Sequence, residues 1–120
     1  MKLALALWLW AAHAGNQPIE HGGGRALITF KNQSGRAVEH CKVSIDDTPI
    51  YQHAAPPDEL DLFNGAMPDG SYRLDVTVRL RRGPTVHSAV MFDVPAFKWL
   101  LLDVVIGRDG QLRFSSSTRS

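Results

Sequence analysis

The sequence predicts an all-β protein folded as an antiparallel β-sandwich of six to seven strands. Apolar and polar residues alternate with a period of two over most of residues 25–114. Short clusters of Gly, Pro, Asn and Asp interrupt this alternation at intervals, as turns between short strands do. No window of helical spacing is long enough to supply a crossover helix, so parallel strand pairs are not expected.

The size and composition of the chain limit what it can be. With 120 residues, 44% of them hydrophobic, it has the length of one globular domain. Its formal charge of +1 excludes a whole-domain electrostatic attraction to nucleic acid. Its single cysteine excludes an internal disulfide framework and any zinc site built from several thiolates.

The N-terminal residues 1–14 have the pattern of an export signal. Lys2 supplies a positive start, residues 3–11 form an apolar run, and Ala12 and Ala14 are the small residues that a signal peptidase requires. We predict cleavage after Ala14 and a periplasmic or secreted protein. The run is shorter than the roughly 20 apolar residues of a membrane span, so no stable membrane anchor is expected. The alternative is an N-terminal core segment of a cytosolic protein.

The rest of the chain divides into three parts. Residues 15–24 contain Pro18 and three consecutive glycines and predict a flexible leader. Residues 25–114 form the predicted β-sandwich domain, and residues 115–120 form a polar C-terminal tail that is expected to fray. Removal of residues 1–14 leaves equal numbers of basic and acidic residues, so net charge does not steer a partner.

The clearest strand covers residues 72–81, where large apolar residues alternate with Arg, Asp and Thr. Residues 86–94 repeat this rhythm, and residues 82–84 predict a turn between the two strands. The favoured register sets Leu80 opposite Val86, Arg79 opposite His87 and Arg73 opposite Asp93, the last a favourable charge pair.

Further strands are predicted on both sides of this pair. Residues 26–31 and 38–45 flank the turn-forming residues 32–35 and predict a hairpin. A short strand is expected around residues 60–63. Six or seven short strands with such turns are typical of a sandwich with immunoglobulin-like or transthyretin-like topology.

The last hairpin begins with a nearly continuous apolar segment. Residues 99–106 are apolar apart from Asp103, the pattern of a strand covered on both faces. Residues 108–110 then predict a three-residue turn with glycine in its third position. The expected pairs are Ile106 with Leu112 and Val104 with Phe114.

Part of the chain resembles known extracytoplasmic modules. Residues 43–50 contain the end of a strand and an acidic turn at Asp46-Asp47, and after an insertion Pro68-Asp69-Gly70-Ser71-Tyr72 enters a long strand. This arrangement resembles PEGA-type and carboxypeptidase-regulatory-like, or transthyretin-like, β-modules over about residues 43–78. Leu62-Phe63-Asn64-Gly65 is similar to a segment of small exported proteins of myxobacteria. The resemblance implies an extracytoplasmic β-module and carries over no active site and no cofactor.

The sequence offers weak candidates for metal or nucleophilic chemistry. Cys41 and His40 are adjacent in a predicted strand and therefore point to opposite faces. A copper or zinc site would have to be assembled from scattered ligands. The candidates are His40, Cys41, His53 and His87, with His21, Met67 and Met91 as further soft or borderline ligands. No serine has the surroundings of a nucleophilic catalyst, so an enzyme is not expected.

Two surface features predict a partner. Arg73, Arg79 and Arg81 project from one strand face and form a basic stripe suited to an acidic protein or an anionic envelope polymer. Phe97 and Trp99 begin a segment that is more apolar than a half-exposed strand requires, and they are candidate interface anchors. We expect the insertion at residues 46–61 to cover part of that strand's outer face.

The sequence thus predicts an exported, non-enzymatic β-sandwich that serves as a binding or accessory module of the cell envelope. A protein or envelope polymer is the expected partner, and neither nucleic acid nor a cofactor is expected. The alternative is a metal-binding or redox-responsive periplasmic protein that uses Cys41 and the histidines.

Overall fold

A computed structural model describes residues 23–120 as eight β-strands without a helix. Within these residues no helix is long or apolar enough to cross a membrane. The predicted export signal at residues 1–14 and most of the leader lie outside the described residues. The strands are β1 Gly24–Asn32, β2 Val38–Ile45, β3 Thr48–Ala54, β4 Glu59–Met67, β5 Gly70–Leu80, β6 Thr85–Val94, β7 Trp99–Ile106 and β8 Leu112–Arg119.

The strands form two four-stranded sheets, and the predicted all-β sandwich is confirmed. Sheet A has the order β4-β1-β7-β8, and sheet B has the order β3-β2-β5-β6. All neighbours are antiparallel except β1 and β7, which are parallel. This pair is not expected from the sequence, because parallel strands are usually connected by a crossover helix. Between β1 and β7 the chain instead runs through β2 and β3 of sheet B, β4 of sheet A, and β5 and β6 of sheet B, and this path replaces the helix.

The inner faces of the two sheets enclose one hydrophobic core. Leu74, Val76 and Val78 of β5 are fully buried, which confirms the inward face predicted for this strand. At the end of the core, the Tyr72 ring stacks on Phe92 with 5.6 Å between ring centroids. The Tyr72 hydroxyl donates a hydrogen bond to the Pro68 carbonyl oxygen at 2.6 Å, so its polar tip is satisfied.

The predicted hairpin between the first two strands is wrong, because β1 and β2 lie in different sheets. The end of β1 is held in sheet A by backbone hydrogen bonds. The Asn32 amide donates to the Asp58 carbonyl at 2.7 Å, and the Gln33 amide donates to the Ile106 carbonyl at 2.8 Å. The turn-forming residues therefore carry the chain from one sheet to the other rather than back along the same sheet.

The register predicted between β5 and β6 is wrong by two residues. Thr77 lies opposite His87, and Ser71 lies opposite Asp93. The turn decides this register: Arg82 has a φ of 56°, and the Leu80 amide donates to the Pro84 carbonyl at 3.4 Å. The turn is centred on Arg82 rather than on Gly83, and this displacement by one residue shifts every pair by two. A shift of two keeps each side chain on its face, so the core was still predicted correctly.

The hairpin of β7 and β8 agrees with the prediction at its turn and extends further than expected. Ile106 pairs with Leu112 and Val104 with Phe114, and Gly110 has a φ of 75°. β8 then continues to Arg119 through residues that the sequence assigned to a polar tail. These residues pair with the first half of β7, which supplies the hydrogen bonds that an isolated polar segment lacks.

Residues 46–61 do not cover the outer face of β7, contrary to our expectation. They form β3 at the edge of sheet B and the beginning of β4. Asp46 and Asp47 both have positive φ and reverse the chain directly onto β2. The expected short strand at residues 60–63 is confirmed as part of β4, so Glu59 and Asp61 lie in a strand and not in a loop.

Candidate functional site

The structure separates the two predicted partner-binding surfaces. Arg73 and Arg79 lie on the outer face of sheet B, and Arg81 lies in the turn after β5. Phe97 and Trp99 lie at one end of sheet A, in the turn before β7 and at its first residue. Because the outer faces of the two sheets point away from each other, these residues cannot form one continuous site.

The turn at residues 95–98 is held against β1 by backbone contacts. The Phe97 amide donates to the Gly23 carbonyl at 3.1 Å, and the Arg25 amide donates to the Lys98 carbonyl at 3.0 Å. A Cβ at Gly24 would lie 2.2 Å from the Pro95 carbonyl oxygen and 2.9 Å from the Lys98 carbonyl oxygen. Only glycine permits this close approach, so Gly24 positions the turn.

Phe97 combines exposure with an unfavourable backbone conformation. Its relative solvent accessibility is 73%, and its φ of 60° lies in the left-handed region. This conformation costs an L-residue about 1–2 kcal/mol, and a large exposed ring gains little packing in return. The sequence predicted Phe97 as an anchor but gave no signal for its backbone conformation.

Trp99 lies between two arginines on the outer face of sheet A. It is opposite Arg25 of β1 on one side and opposite Arg119 of β8 on the other. The Arg25 guanidinium carbon lies 5.2 Å from the centroid of the Trp99 ring, within the range of a cation–π contact. Trp99 is half-buried, as are Leu101 and Val105 further along β7. The outer face of this strand is therefore only partly covered, whereas its inner face is buried.

These residues surround an open surface pocket of about 380 Å³, which we call the Phe97–Trp99 site. Its lining residues are Gly24, Arg25, Phe97, Lys98, Trp99 and Ser120. The Arg25 Nε is buried and has no hydrogen-bond partner. A buried polar nitrogen without a partner is rare in native proteins, because it loses its hydration without compensation. The site thus contains an unsatisfied donor beside two aromatic rings.

The charges at the Phe97–Trp99 site are uncompensated. Among residues 23–120, no carboxylate forms an ion pair with Arg25, Lys98 or Arg119. The predicted basic stripe differs, because the Arg73 Nε lies 3.2 Å from an Asp75 oxygen and the Arg79 Nε lies 3.2 Å from a Glu39 oxygen. Arg73 and Arg79 of the stripe are therefore paired with carboxylates, whereas in the described part of the chain the cations beside Trp99 are not.

Arg81 belongs to a different surface, at the turn between β5 and β6. With Arg36 and Arg82 it lines an open depression of about 530 Å³. The Arg36 Nη1 donates to the Arg82 carbonyl oxygen at 2.9 Å, so the guanidinium of Arg36 is used to hold the turn.

A polar cleft of about 290 Å³ lies on the outer face of sheet B. His87 Nε2 lies 3.4 Å from an Asp75 oxygen, a pair that the sequence missed because its register was wrong by two. Ser44 lies opposite Asp75, but no hydrogen bond within residues 23–120 joins it to His87. The cleft therefore lacks the contact by which a histidine activates a nucleophile.

The candidate metal ligands do not converge. Cys41 is fully buried in the core, and His40 and His87 lie on the outer face of sheet B. His53 is opposite Cys41 on the edge strand β3, where its ring lies 4.7 Å from the Tyr51 ring centroid. Within residues 23–120, no group of three or more potential ligands could hold a metal ion. His21 lies outside these residues.

The Cys41 thiol is also poorly suited to metal or redox chemistry. Burial in the core raises the pKa of Cys41 to about 11. The thiolate is the reactive and metal-binding form, and at neutral pH this group therefore remains protonated.

Comparison with known proteins does not identify a relative. No protein-family model matches the chain, and no curated protein matches it significantly.

Proposed function

We propose that the protein is an exported, non-enzymatic β-sandwich that binds a partner in the cell envelope through the Phe97–Trp99 site. One observation carries the proposal: Phe97 is highly exposed and is held in a left-handed backbone conformation. Glycine or asparagine would occupy this turn position at a lower free energy. A strained, exposed aromatic residue is typical of a binding surface, where its ring contributes after association.

The location of the site supports the same proposal. Gly24 and two backbone hydrogen bonds hold the turn rigidly against β1, so the aromatic ring is presented on a fixed support. Arg25 and Trp99 add a cation and a second ring beside it. Aromatic residues and arginine are the side chains most enriched at the centres of protein interfaces.

The predicted export signal and the strand order support an extracytoplasmic module of transthyretin-like type. In an immunoglobulin constant domain, the first strand pairs with the second in a four-stranded sheet. This sheet packs against a sheet of three strands. Here β1 pairs with β4 and β7, and both sheets have four strands. Of the two topologies that the sequence predicted, the transthyretin-like one is therefore the better supported.

Export is tested by sequencing the N-terminus of the protein after expression in its host. We expect the protein from the periplasm or medium to begin at or near Gly15. Recovery of the chain in the cytoplasm with Met1 retained would show that the N-terminal segment is not a cleaved signal.

Binding at the Phe97–Trp99 site is tested by photo-crosslinking in living cells. A benzophenone amino acid replaces Phe97 in one strain and Met91 in the other. Met91 is the matched control, because it is 64% exposed but lies on β6 of the other sheet. We expect a discrete crosslinked species from position 97 and none from position 91. The same adducts from both positions, or none from either, would contradict the proposal.

The metal-binding alternative is tested by calorimetric titration with Cu(I) and Zn(II). Submicromolar stoichiometric binding that disappears in Cys41→Ser would support it and would overturn the proposal of a simple binding module.

A further inference from the structure

We infer that the Phe97–Trp99 site, together with the free edge of β8, binds an extended acidic segment of a protein partner. The inference rests on the proposed function and adds the chemical class of the ligand. It combines two features of sheet A that meet at the first residue of β7: an open strand edge and a row of cations around an aromatic ring.

The edge of β8 is unprotected along its length. β8 pairs with β7 over eight consecutive residues without a register shift. It contains no proline, and residues 114–118 carry no charge. Regular, uncharged edges of this kind can accept a further strand, since their outward backbone groups have no partner in the sheet.

Two of the other three edges have features that prevent strand addition. β3 has a register shift and contains Pro49, and β4 has a register shift and carries the exposed charges of Glu59 and Asp61. The edge of β6 is regular, but the titratable residues along it are His87 and Asp93, and the strand contains no arginine or lysine. The edge of β8 is therefore the one that combines regular backbone with positive charge.

The row of residues next to this edge selects an acidic partner. Arg25, Trp99 and Arg119 lie side by side across three strands on the outer face of sheet A. Neighbouring strands are about 4.8 Å apart, so an added strand would place a side chain directly beside Arg119. A carboxylate there would supply an ion-pair partner to a guanidinium that lacks one in residues 23–120. A longer acidic side chain could also approach the side chain of Arg25, which lines the pocket.

Side-chain alternation sets the expected sequence of the ligand. In an added strand every second residue points to the outer face of sheet A, where Arg119 and Trp99 lie. The other residues would extend the inner face of the sheet past Phe114, which is half-buried at the edge of the core. The expected ligand therefore alternates acidic with apolar or small residues. Neither a lipid nor a polysaccharide presents the regular amide groups that pair with a strand edge.

The experiment selects peptides from a random dodecapeptide phage library on the exported protein. We expect enriched peptides with Asp or Glu at alternating positions. Their affinity, measured by fluorescence anisotropy, should fall roughly ten- to hundredfold in Arg119→Gln, the loss of one charge-assisted hydrogen bond. It should fall similarly in Arg25→Gln. Arg79→Gln is the matched control, since Arg79 lies on sheet B with its own carboxylate partner, and it should change the affinity less than about twofold.

Hydrogen exchange locates the bound peptide. We expect slower exchange of β8 amides on peptide addition, because the outward amides gain partners, and unchanged exchange in β3. Enriched peptides without acidic residues, equal losses in the Arg79 and Arg119 variants, or exchange unchanged in β8 would each overturn the inference.

Two outcomes separate this inference from the proposed function. In the first outcome, position 97 forms crosslinks and no peptides are selected, but anionic phospholipid vesicles or heparin bind in a way that depends on Arg119. This result would overturn the inference that the ligand is a peptide, and the proposed binding site would stand. Loss of both crosslinking and peptide selection would overturn the proposed function as well. Crosslinking between two copies of the chain would identify β8 as a self-association edge and would overturn the inference.

Discussion

Substitution of Phe97 by glycine should remove binding while leaving stability almost unchanged. Relief of the left-handed conformation stabilises the folded chain by about 1–2 kcal/mol. Roughly a quarter of the side chain is buried, so its removal costs about 0.4–0.8 kcal/mol of hydrophobic contact. The greater freedom of glycine in the unfolded chain costs about 0.5–1 kcal/mol. The net change in the free energy of unfolding is therefore within about 1 kcal/mol of zero.

Phe97→Ala provides the decisive comparison. Alanine loses the same contacts but keeps the left-handed strain, so Phe97→Gly should be the more stable variant by about 1 kcal/mol. This order is the reverse of that at ordinary strand positions, where alanine is favoured over glycine. Urea denaturation of both variants measures the difference, and Phe92→Ala, which truncates a buried ring, should lose about 3–5 kcal/mol. Alanine equal to or more stable than glycine at position 97 would refute the strained conformation.

Three further predictions concern the core, the turn and the cysteine. Val76→Asp should lower the free energy of unfolding by about 3–5 kcal/mol by burying a carboxylate, whereas the outward-facing Thr77→Asp should lower it by less than about 1 kcal/mol. Equal losses in a denaturant titration would show that the face assignment is wrong. Gly24→Ala should cost about 1–3 kcal/mol or more because its Cβ meets backbone at 2.2 Å, whereas Gly65→Ala, with 3.7 Å to the nearest atom, should be tolerated. Stability should fall as pH rises from 9 towards 11, because the Cys41 thiol ionises first in the unfolded chain, where its pKa is near 9.0 rather than about 11. Cys41→Ala should lose less stability over this range, and an equal loss would exclude Cys41 as a cause.

The structure also changes which surface is the better candidate for binding a partner. The arginine stripe of β5 was the more visible feature in the sequence, but Asp75 and Glu39 neutralise Arg73 and Arg79. Fewer charged residues lie close to Phe97 and Trp99 along the sequence. Arg25 and Arg119 nevertheless reach the Phe97–Trp99 site from strands that are distant along the chain. A local charge is functionally available only where the fold leaves it without a partner.

Local sequence was sufficient for the class of fold, most strands and the faces of the central ones. The alternation along β5 predicted its buried residues, and glycine in the third position of the 108–110 turn predicted the register of β7 and β8. These features depend on residues close together in the chain, where side-chain period and turn chemistry act directly. Phe97 and Trp99 could be proposed as candidate interface anchors for the same reason, since they stand out from their immediate neighbours.

The sheet assignment, the parallel pair and the composition of the site depended on tertiary structure. Residues 32–35 are compatible with a hairpin or with a crossing between sheets. Backbone hydrogen bonds to Asp58 and Ile106, which are distant along the chain, favour the crossing. The Arg25–Trp99–Arg119 row exists because β7 lies between β1 and β8. No local pattern encodes that neighbourhood, because it results from which sheet faces bury the most apolar surface together. The sequence by itself determined most of the strands and the faces of the central ones, and only packing decided which strands became neighbours.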